Sequence, residues 1–391
     1  MPSPARSAAY AVVRRTLESG AYGDRALHGE AQGLDARERS LAKRLAFGTV
    51  QYRGTLDWVI ANHVDRALDP EVRAALQLGL YQLLFTEVAD HAAVSESVEL
   101  AKPNRGAGLV NAVLRKVQRD GLELPPDDTV EGAAIRHAHP EWLVRMWWEW
   151  LGPQRTRALL AKDNEPAELA LRVNTLVAGA VELPGRRDGD ALVVDGPVDV
   201  LSLPEYRSGA VTPQSRASQR VARTVAPEPG ERVLDLCAAP GGKTTHLAAL
   251  MGNEGEIVAV ERNPQRARAL QAQCDRLHAS IVRVEVADAA QPRPDGRFDR
   301  VLLDPPCSGL GTLQSHPDLR WRMTPERIEA LARDQDALLE AARAACRPGG
   351  TLVYSVCTLS PDEERLRSAD HWRTLPPEDD TDGFYTARDA A

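Results

Sequence analysis

From about residue 207 onward, short Val/Leu/Ile-rich runs alternate with helix-length segments; the runs are VLDLC, IVAVE, IVRVEV, RVLLD and TLVYS. A chain patterned this way buries its strands on both faces, which calls for a largely parallel sheet with helices packed on each side. Ligands of such sheets sit beyond the carboxyl ends of the strands. The residues that follow each run are therefore where chemistry is expected.

The first 122 residues carry a different period. Asp35 and Glu38 are spaced like a capping box, Pro70 stands in a first helical turn, and Val72, Ala75, Leu76, Leu80, Leu83 and Leu84 recur at three- and four-residue steps. Val110, Val113, Leu114 and Val117 form a further stripe of core type. Adjacent prolines and acids in GLELPPDDTVEG then stop the helical pattern. HPEWLVRMWWEWLG reads as an amphipathic helix, and LALRVNT and ALVVDG read as short strands. Three parts are expected: an all-α domain over 1–122, a small α+β connector over 123–206, and an α/β Rossmann-like domain over 207–391.

Composition narrows the class. Hydrophobic residues make up 43% and charged residues 27%, which is ordinary for a globular protein. No apolar run has the length of a membrane span, and the short apolar patch at the start is flanked by Arg rather than arranged as a secretory signal, so a cytoplasmic protein with no membrane partner is expected. Five cysteines with no CxxC pair and no histidine at ligand spacing argue against both a disulfide frame and a metal site. Cys274 and Cys346 lie in helix-like runs and read as buried small hydrophobes. The net charge of −8 speaks against a nucleic-acid ligand, but it is unevenly spread. Residues 1–122 carry 16 basic against 14 acidic side chains, a net of +2, whereas 361–391 carry 4 against 9, a net of −5.

The first strand of the α/β part runs into Cys237-Ala238-Ala239-Pro240-Gly241-Gly242-Lys243. Small residues there let backbone N–H groups approach a ligand. A triphosphate loop would need Gly at position 237, and GxGxxG is absent. Glu261, 19 residues after Gly242, ends the second strand where a carboxylate can accept from a ribose diol. Asp288, beyond the third strand, can meet an adenine amine. This is a nucleoside site without a phosphate cradle, as S-adenosylmethionine requires.

The fourth and fifth strands lead into Asp304-Pro305-Pro306-Cys307 and Ser355-Val356-Cys357, which sets two cysteines beyond successive strand ends. Carbon 5 of a cytosine becomes nucleophilic when a thiolate adds to carbon 6. One cysteine would make that bond and the other would assist removal of the carbon-5 proton; spacing does not say which. Asp304 is placed to hydrogen-bond the N3 or exocyclic amine edge of the base.

LDLCAAPGGKTTHL, FDRVLLDPPCSGLGTLQSHPDLRWR and SVCTLSPDEE together resemble the ribosomal RNA cytosine-C5 methyltransferases of the Sun/Fmu (RsmB) family, and LRVNT and VNAVLRK also fit. The resemblance covers nearly the whole chain and implies a NusB-like helical domain at the N-terminus. It implies that Cys357 is the nucleophile, that Cys307 helps release the product, and that Cys237 to Lys243, Glu261, Asp288 and Asp304 line the S-adenosylmethionine site. The implied substrate is 16S rRNA, taken as free RNA before subunit assembly, by a monomeric enzyme. A relative acting on another rRNA or a tRNA, and a non-catalytic RNA-binding protein of the same fold, stay open as alternatives.

Two departures carry expectations of their own. Ser215 stands where the family has Asp, with Arg216, Arg220 and Arg223 nearby as candidate phosphate contacts. Only 33 residues follow Thr358, so the closing β-hairpin, whose second strand TDGFYTAR resembles, is expected to be short or incomplete.

Overall fold

The computed structural model describes residues 2–18, 20–177, 181–196, 198–293 and 297–390. Contacts divide the chain into two units: Met1–Glu165 with Leu313–Arg322, and Pro166–Thr312 with Met323–Ala391.

The first unit is helical: α1 (Pro4–Glu18), α2 (Gly23–Glu30), α3 (Ala36–Gln51), α4 (Arg53–Ala61), α5 (Pro70–Phe85), α6 (Asp90–Ala101), α7 (Ala107–Asp120), α8 (Val130–Arg136), α9 (Glu141–Leu151) and α10 (Pro153–Lys162). Asp35 caps α3 by accepting from the Glu38 N–H at 2.8 Å. The Glu38 carboxylate turns away from that box and accepts from the Ala5 N–H at the start of α1 at 2.7 Å. The α5 and α7 stripes meet in one core in which Leu76, Leu80, Val110 and Leu114 are fully buried.

Residues 313–322 complete this unit from far along the chain. The Trp321 indole N–H donates to Val50 O at 2.7 Å, and its ring packs on a cluster of Val13, Val50 and Ala74. The fully buried Arg320 donates to Asn164 Oδ1 at 2.9 Å and to the carbonyls of Ala138 and Asp163 at 3.2 Å each. Burial pushes the Asp163 carboxyl up to about 7 and holds His139 well below its usual value, so this pocket is stabilised by hydrogen bonds to Arg320 more than by paired charges.

The second unit contains two sheets. Strands β1 (Ala170–Val173), β2 (Gly185–Asp188), β3 (Ala191–Val194) and β4 (Val211–Pro213) form an antiparallel sheet in the order β2-β3-β1-β4, with α11 (Pro204–Arg207) beside it. Then come α12 (Arg216–Val225), β5 (Arg232–Leu236), α13 (Gly242–Leu250), β6 (Glu256–Val260), α14 (Pro264–Arg276), β7 (Val282–Glu285) and β8 (Phe298–Leu303). α15 (Leu319–Arg322) lies in the excursion that belongs to the helical unit, and α16 (Pro325–Ala345), β9 (Cys346–Val356), β10 (Asp370–Thr374), α17 (Pro376–Asp379) and β11 (Phe384–Ala390) close the chain.

The large sheet has the order β10-β11-β9-β8-β5-β6-β7, with β5 to β9 parallel. Alternation along each strand explains why both faces are covered. Leu234, Leu236, Val258, Val301, Leu303 and Tyr354 pack on the face that α16 covers with Leu338, Leu339 and Ala342. Val233, Ile257, Leu302 and Val353 point the other way, against Val221 of α12, Leu247 of α13 and Leu270 of α14. The strand order reverses at β5, which pairs with β6 on one side and β8 on the other, so the loops after β5 and β8 part at a crevice.

The short tail nevertheless builds the whole closing hairpin. β10 and β11 pair over five residues each, from Asp370 opposite Arg388 to Thr374 opposite Phe384, and β11 pairs with β9 from Tyr385 to Ala390. The expectation of an incomplete hairpin is corrected: the four-residue α17 spans the turn, and the Thr374 hydroxyl, donating to Asp382 O at 2.7 Å and accepting from the Phe384 N–H at 3.0 Å, closes it without a longer connection.

Candidate active site

The register sets the site. Leu236 pairs with Leu303 and Leu303 with Tyr354, so β5 and β8 end at one level while β9 runs on to Val356. Cys237 and Asp304 directly follow the ends of β5 and β8, and Cys357 directly follows the end of β9.

After β5 the backbone turns through Cys237, with φ of 64°, and Gly241, with φ of 103°. The left-handed conformation at Gly241 is what calls for glycine; a Cβ there would also press on the Leu270 Cδ1 methyl at 2.6 Å. Ala238 and Ala239 are buried, Pro240 is exposed, and Gly242 begins α13. Thr244 Oγ1 donates to Asp235 Oδ2 at 2.6 Å and pins the loop to its strand; burial lifts the Asp235 carboxyl to about 7, and its Oδ1 has no partner. Behind the loop, the buried Arg172 of LRVNT donates to Thr245 Oγ1 at 2.9 Å, and Asn174 donates to Gly209 O and Leu277 O. This motif fixes the small sheet against α13 and the end of α14.

Glu261 lies at the end of β6, 3% exposed; it accepts from the Asn263 N–H at 2.8 Å, and Arg266 stands 3.5 Å away. Asp288 is exposed beyond β7, its Oδ1 accepting from the Ala290 N–H at 3.0 Å. Among the described residues, neither Asp288 nor Glu261 makes a hydrogen bond or ion pair from its side chain to another candidate. Lys243 Nζ lies 2.7 Å from Asp304 Oδ2 and 5.3 Å from the Phe384 ring centroid. Burial works to lower the Lys243 pKa, but Asp304, Cys357 and Asp235 pull it up further, and the ammonium stays charged.

Cys307 Sγ and Cys357 Sγ are 3.3 Å apart. The hydrogen bond to Cys357 comes first among the causes that hold the Cys307 thiol well above its ordinary value, followed by burial and the charges of Cys357, Glu363 and Asp304. Either sulfur can donate in this contact. Cys237 is pushed up to about 12 by burial and by Asp304, Asp235 and Glu261, which removes it as a nucleophile and leaves it a wall of the site. Cys274 and Cys346 are buried in the hydrophobic clusters of the sheet faces.

Glu363 went unnoticed in the sequence. It is fully buried beneath the cysteine turns and accepts from Ser308, Thr358 and Gln335. Its only local signal was an acid in the motif that carries Cys357. The three arginines near Ser215 are engaged within the unit: Arg216 by Glu168 and Asp188, Arg223 by Asp190 at 2.8 Å, and Arg220 over the Trp372 ring at 4.3 Å. Ser215 itself caps α12 by accepting from the Ser218 N–H.

The donor set fits S-adenosylmethionine: a glycine turn that admits no side chain, a buried strand-end carboxylate for a diol, and an orphaned buried oxygen on Asp235. No cluster of metal-ligating side chains occurs among the described residues, and no described helix is long and apolar enough to cross a membrane.

Family models place these observations. The 16S rRNA methyltransferase RsmB/F model matches residues 222–370, the NusB family model 3–119, and the RsmF/B-like ferredoxin-like domain model 139–183. The chain is 36% identical to the probable ribosomal RNA small subunit methyltransferase B of Synechocystis sp., over 95% of this chain and 91% of that protein. It is 33% identical to the ribosomal RNA small subunit methyltransferase B of Vibrio cholerae, over 98% and 96%. The crystal structure of PH0851 superposes with a TM-score of 0.83 at 26% identity, covering 99% of this chain and 98% of that one. The chain thus belongs to the 16S rRNA methyltransferase RsmB/F family, and is an RNA methyltransferase with a NusB-like helical domain that takes its methyl group from S-adenosylmethionine.

Proposed function

We propose that this enzyme methylates carbon 5 of a cytosine in 16S rRNA through a covalent bond between Cys357 and carbon 6 of the base. The observation that carries this reading is the pair of thiols 3.3 Å apart at the ends of β8 and β9, beside Asp304. A methyltransferase acting on a nitrogen or an oxygen has no use for such a pair.

Cys357, as thiolate, adds to carbon 6, and the electrons of the 5,6 double bond shift toward carbon 5 and the N3–C4 amidine. Asp304 hydrogen-bonds that edge, and Lys243 holds the Asp304 carboxylate in place. S-adenosylmethionine supplies the electrophilic methyl group that carbon 5 accepts. Once Cys357 is bonded to carbon, its share of what retained the Cys307 proton is gone, leaving burial, Glu363 and Asp304. Cys307 can then release that proton to water and, as thiolate, take the proton from carbon 5. The electrons of the C–H bond restore the double bond and expel Cys357.

The cofactor would be held by Cys237, Ala238, Ala239, Pro240, Gly241, Gly242, Lys243, Glu261, Asp288 and Asp304, with Glu261 on the ribose and Asp288 on the adenine amine. In this reading 1–122 is an RNA-binding domain, 123–206 a connector, and 207–391 the catalytic domain of a monomeric cytoplasmic enzyme. Bisulfite sequencing of rRNA from cells with and without the gene tests it: one protected 16S cytosine should disappear with the gene, and an unchanged pattern refutes the proposal.

A further inference from the structure

We propose that Glu363 is a positioning residue whose carboxylate bridges the two cysteine-bearing turns and sets the Cys307–Cys357 approach. The inference rests on the covalent reading above. Glu363 ends the 3-10 turn Pro361–Glu363 and is 0% exposed. Its Oε1 accepts from the Ser308 N–H at 2.8 Å and from Gln335 Nε2 at 3.1 Å. Its Oε2 accepts from the Ser308 hydroxyl at 2.5 Å and from the Thr358 hydroxyl at 2.7 Å. Four neutral donors thus fill the four acceptor positions a carboxylate offers.

The donors are what give the arrangement a role in the reaction. Ser308 follows Cys307, and Thr358 follows Cys357. The turn before Cys307 is tied to the same group, because Gln335 Nε2 also donates to Pro306 O at 2.9 Å. Tyr354, at the end of β9, sets its hydroxyl 2.7 Å from Glu363 O and 3.0 Å from Gln335 Oε1. Both flanks of one thiol and one flank of the other therefore hang on a single buried group.

Ser308 Oγ, Thr358 Oγ1 and Glu363 Oε2 form a triangle whose hydroxyl–hydroxyl edge is 2.6 Å. The two hydroxyls bring one proton each and so fill two of the three edges, at least one of which ends on Glu363 Oε2. A side chain of similar shape that accepts nothing would let the turns drift apart, and a displacement of about 1 Å between reacting groups costs on the order of 100-fold in rate. Glu363 touches neither base nor cofactor in this scheme; it acts through the two sulfurs.

The test uses the full-length enzyme and a single-turnover reaction with RNA carrying 5-fluorocytidine at the target position, where the covalent adduct accumulates and is read on a denaturing gel. Glu363→Leu should form adduct about 100-fold more slowly with full amplitude, and with KM for RNA within about twofold of wild type. Glu363→Gln keeps an acceptor for the Ser308 N–H and lets the hydroxyls turn to accept from its amide, so it should recover roughly tenfold of that loss. If the Leu variant fails to fold, the double variant Ser308→Ala with Thr358→Val replaces it and should slow adduct formation with amplitude kept. Reduced amplitude at an unchanged rate constant, or a rate within twofold of wild type, overturns the proposal. A wild-type enzyme that forms no adduct refutes the covalent mechanism itself.

Discussion

Replacing Gly311 with Ala should damage catalysis and the closing hairpin together. Gly311 lies four residues after Cys307, and its N–H donates to Cys357 O at 3.1 Å, while Gly383, just before β11, donates to Gly311 O at 2.7 Å. A Cβ at Gly311 would sit 1.9 Å from Gly383 O and 2.6 Å from its carbonyl carbon, both backbone atoms. The two segments would have to part by about 1.1 Å to reach the ~3.0 Å that non-bonded atoms tolerate. Overpacking of this kind costs about 1–3 kcal/mol, and the strained hydrogen bond about 1 more, for a total of roughly 2–4 kcal/mol. Because the shift passes directly to Cys357, methyl transfer should fall on the order of 100-fold. Hydrogen exchange should show faster exchange at the amides of β9 and β11, with the helical unit unchanged. Gly108, exposed within α7 with nothing within 4 Å of its would-be Cβ, is the matched control. Gly108→Ala should leave activity intact and stabilise the helix by about 0.5–1 kcal/mol. A Gly311→Ala enzyme with normal exchange at β11 and a normal rate would refute the argument.

Cys357→Ala should abolish methylation, whereas Cys307→Ala should trap a covalent RNA adduct visible on a denaturing gel; the reverse pattern would exchange their roles. If Glu261 holds the ribose as proposed, Glu261→Gln should weaken S-adenosylmethionine binding by roughly 10–100-fold, read by calorimetry, because a charge-assisted hydrogen bond would become neutral. RNA affinity measured in parallel should not move. Burial raises Asp235 from 3.8 to about 7, so the folded state binds its proton more tightly than the unfolded chain does. Stability should be greatest below pH ~4 with respect to this group, and should erode as pH rises from there through about 7, by an amount on the order of 4 kcal/mol. Asp235→Asn keeps the acceptor for Thr244 and should lose that slope; parallel unfolding curves for the two proteins between pH 5 and 8 would contradict the assignment.

Most of the large sheet was legible because a buried parallel strand writes its own signature. The runs ending at Leu236, Val260, Leu303 and Val356 are dense in β-branched and aliphatic residues, and the functional groups follow each run directly. Cys307 and Cys357 could be seen for that reason, but their order could not. Strand-end spacing places both thiols alike, so the order rests on the family resemblance and on the Cys307→Ala and Cys357→Ala comparison above. Glu363 itself was hidden because its partners come from positions 308, 335 and 358, and no local period links them. Arg216 and Arg223 read as free cations for an equivalent reason: Glu168, Asp188 and Asp190, which engage them, are remote in sequence. The closing hairpin was misjudged from length alone, where the hydrogen bonds of Thr374 mattered more than residue count.

The helical unit is assembled from two pieces of chain, and this bears on the order in which a ribosome can finish it. Residues up to 165 emerge first, yet Trp321 and Arg320, which cover Val13, Val50 and Ala74 and satisfy the carbonyls around Asp163, come later, Arg320 157 residues after Asp163. At about 5–20 residues per second that is a wait of roughly 8–30 s. Throughout it an apolar patch and several buried acceptors of the nascent helical unit face water or a chaperone. An isolated 1–165 fragment would carry the same vacancy permanently, and a peptide of residues 313–322 is the ligand that would fill it.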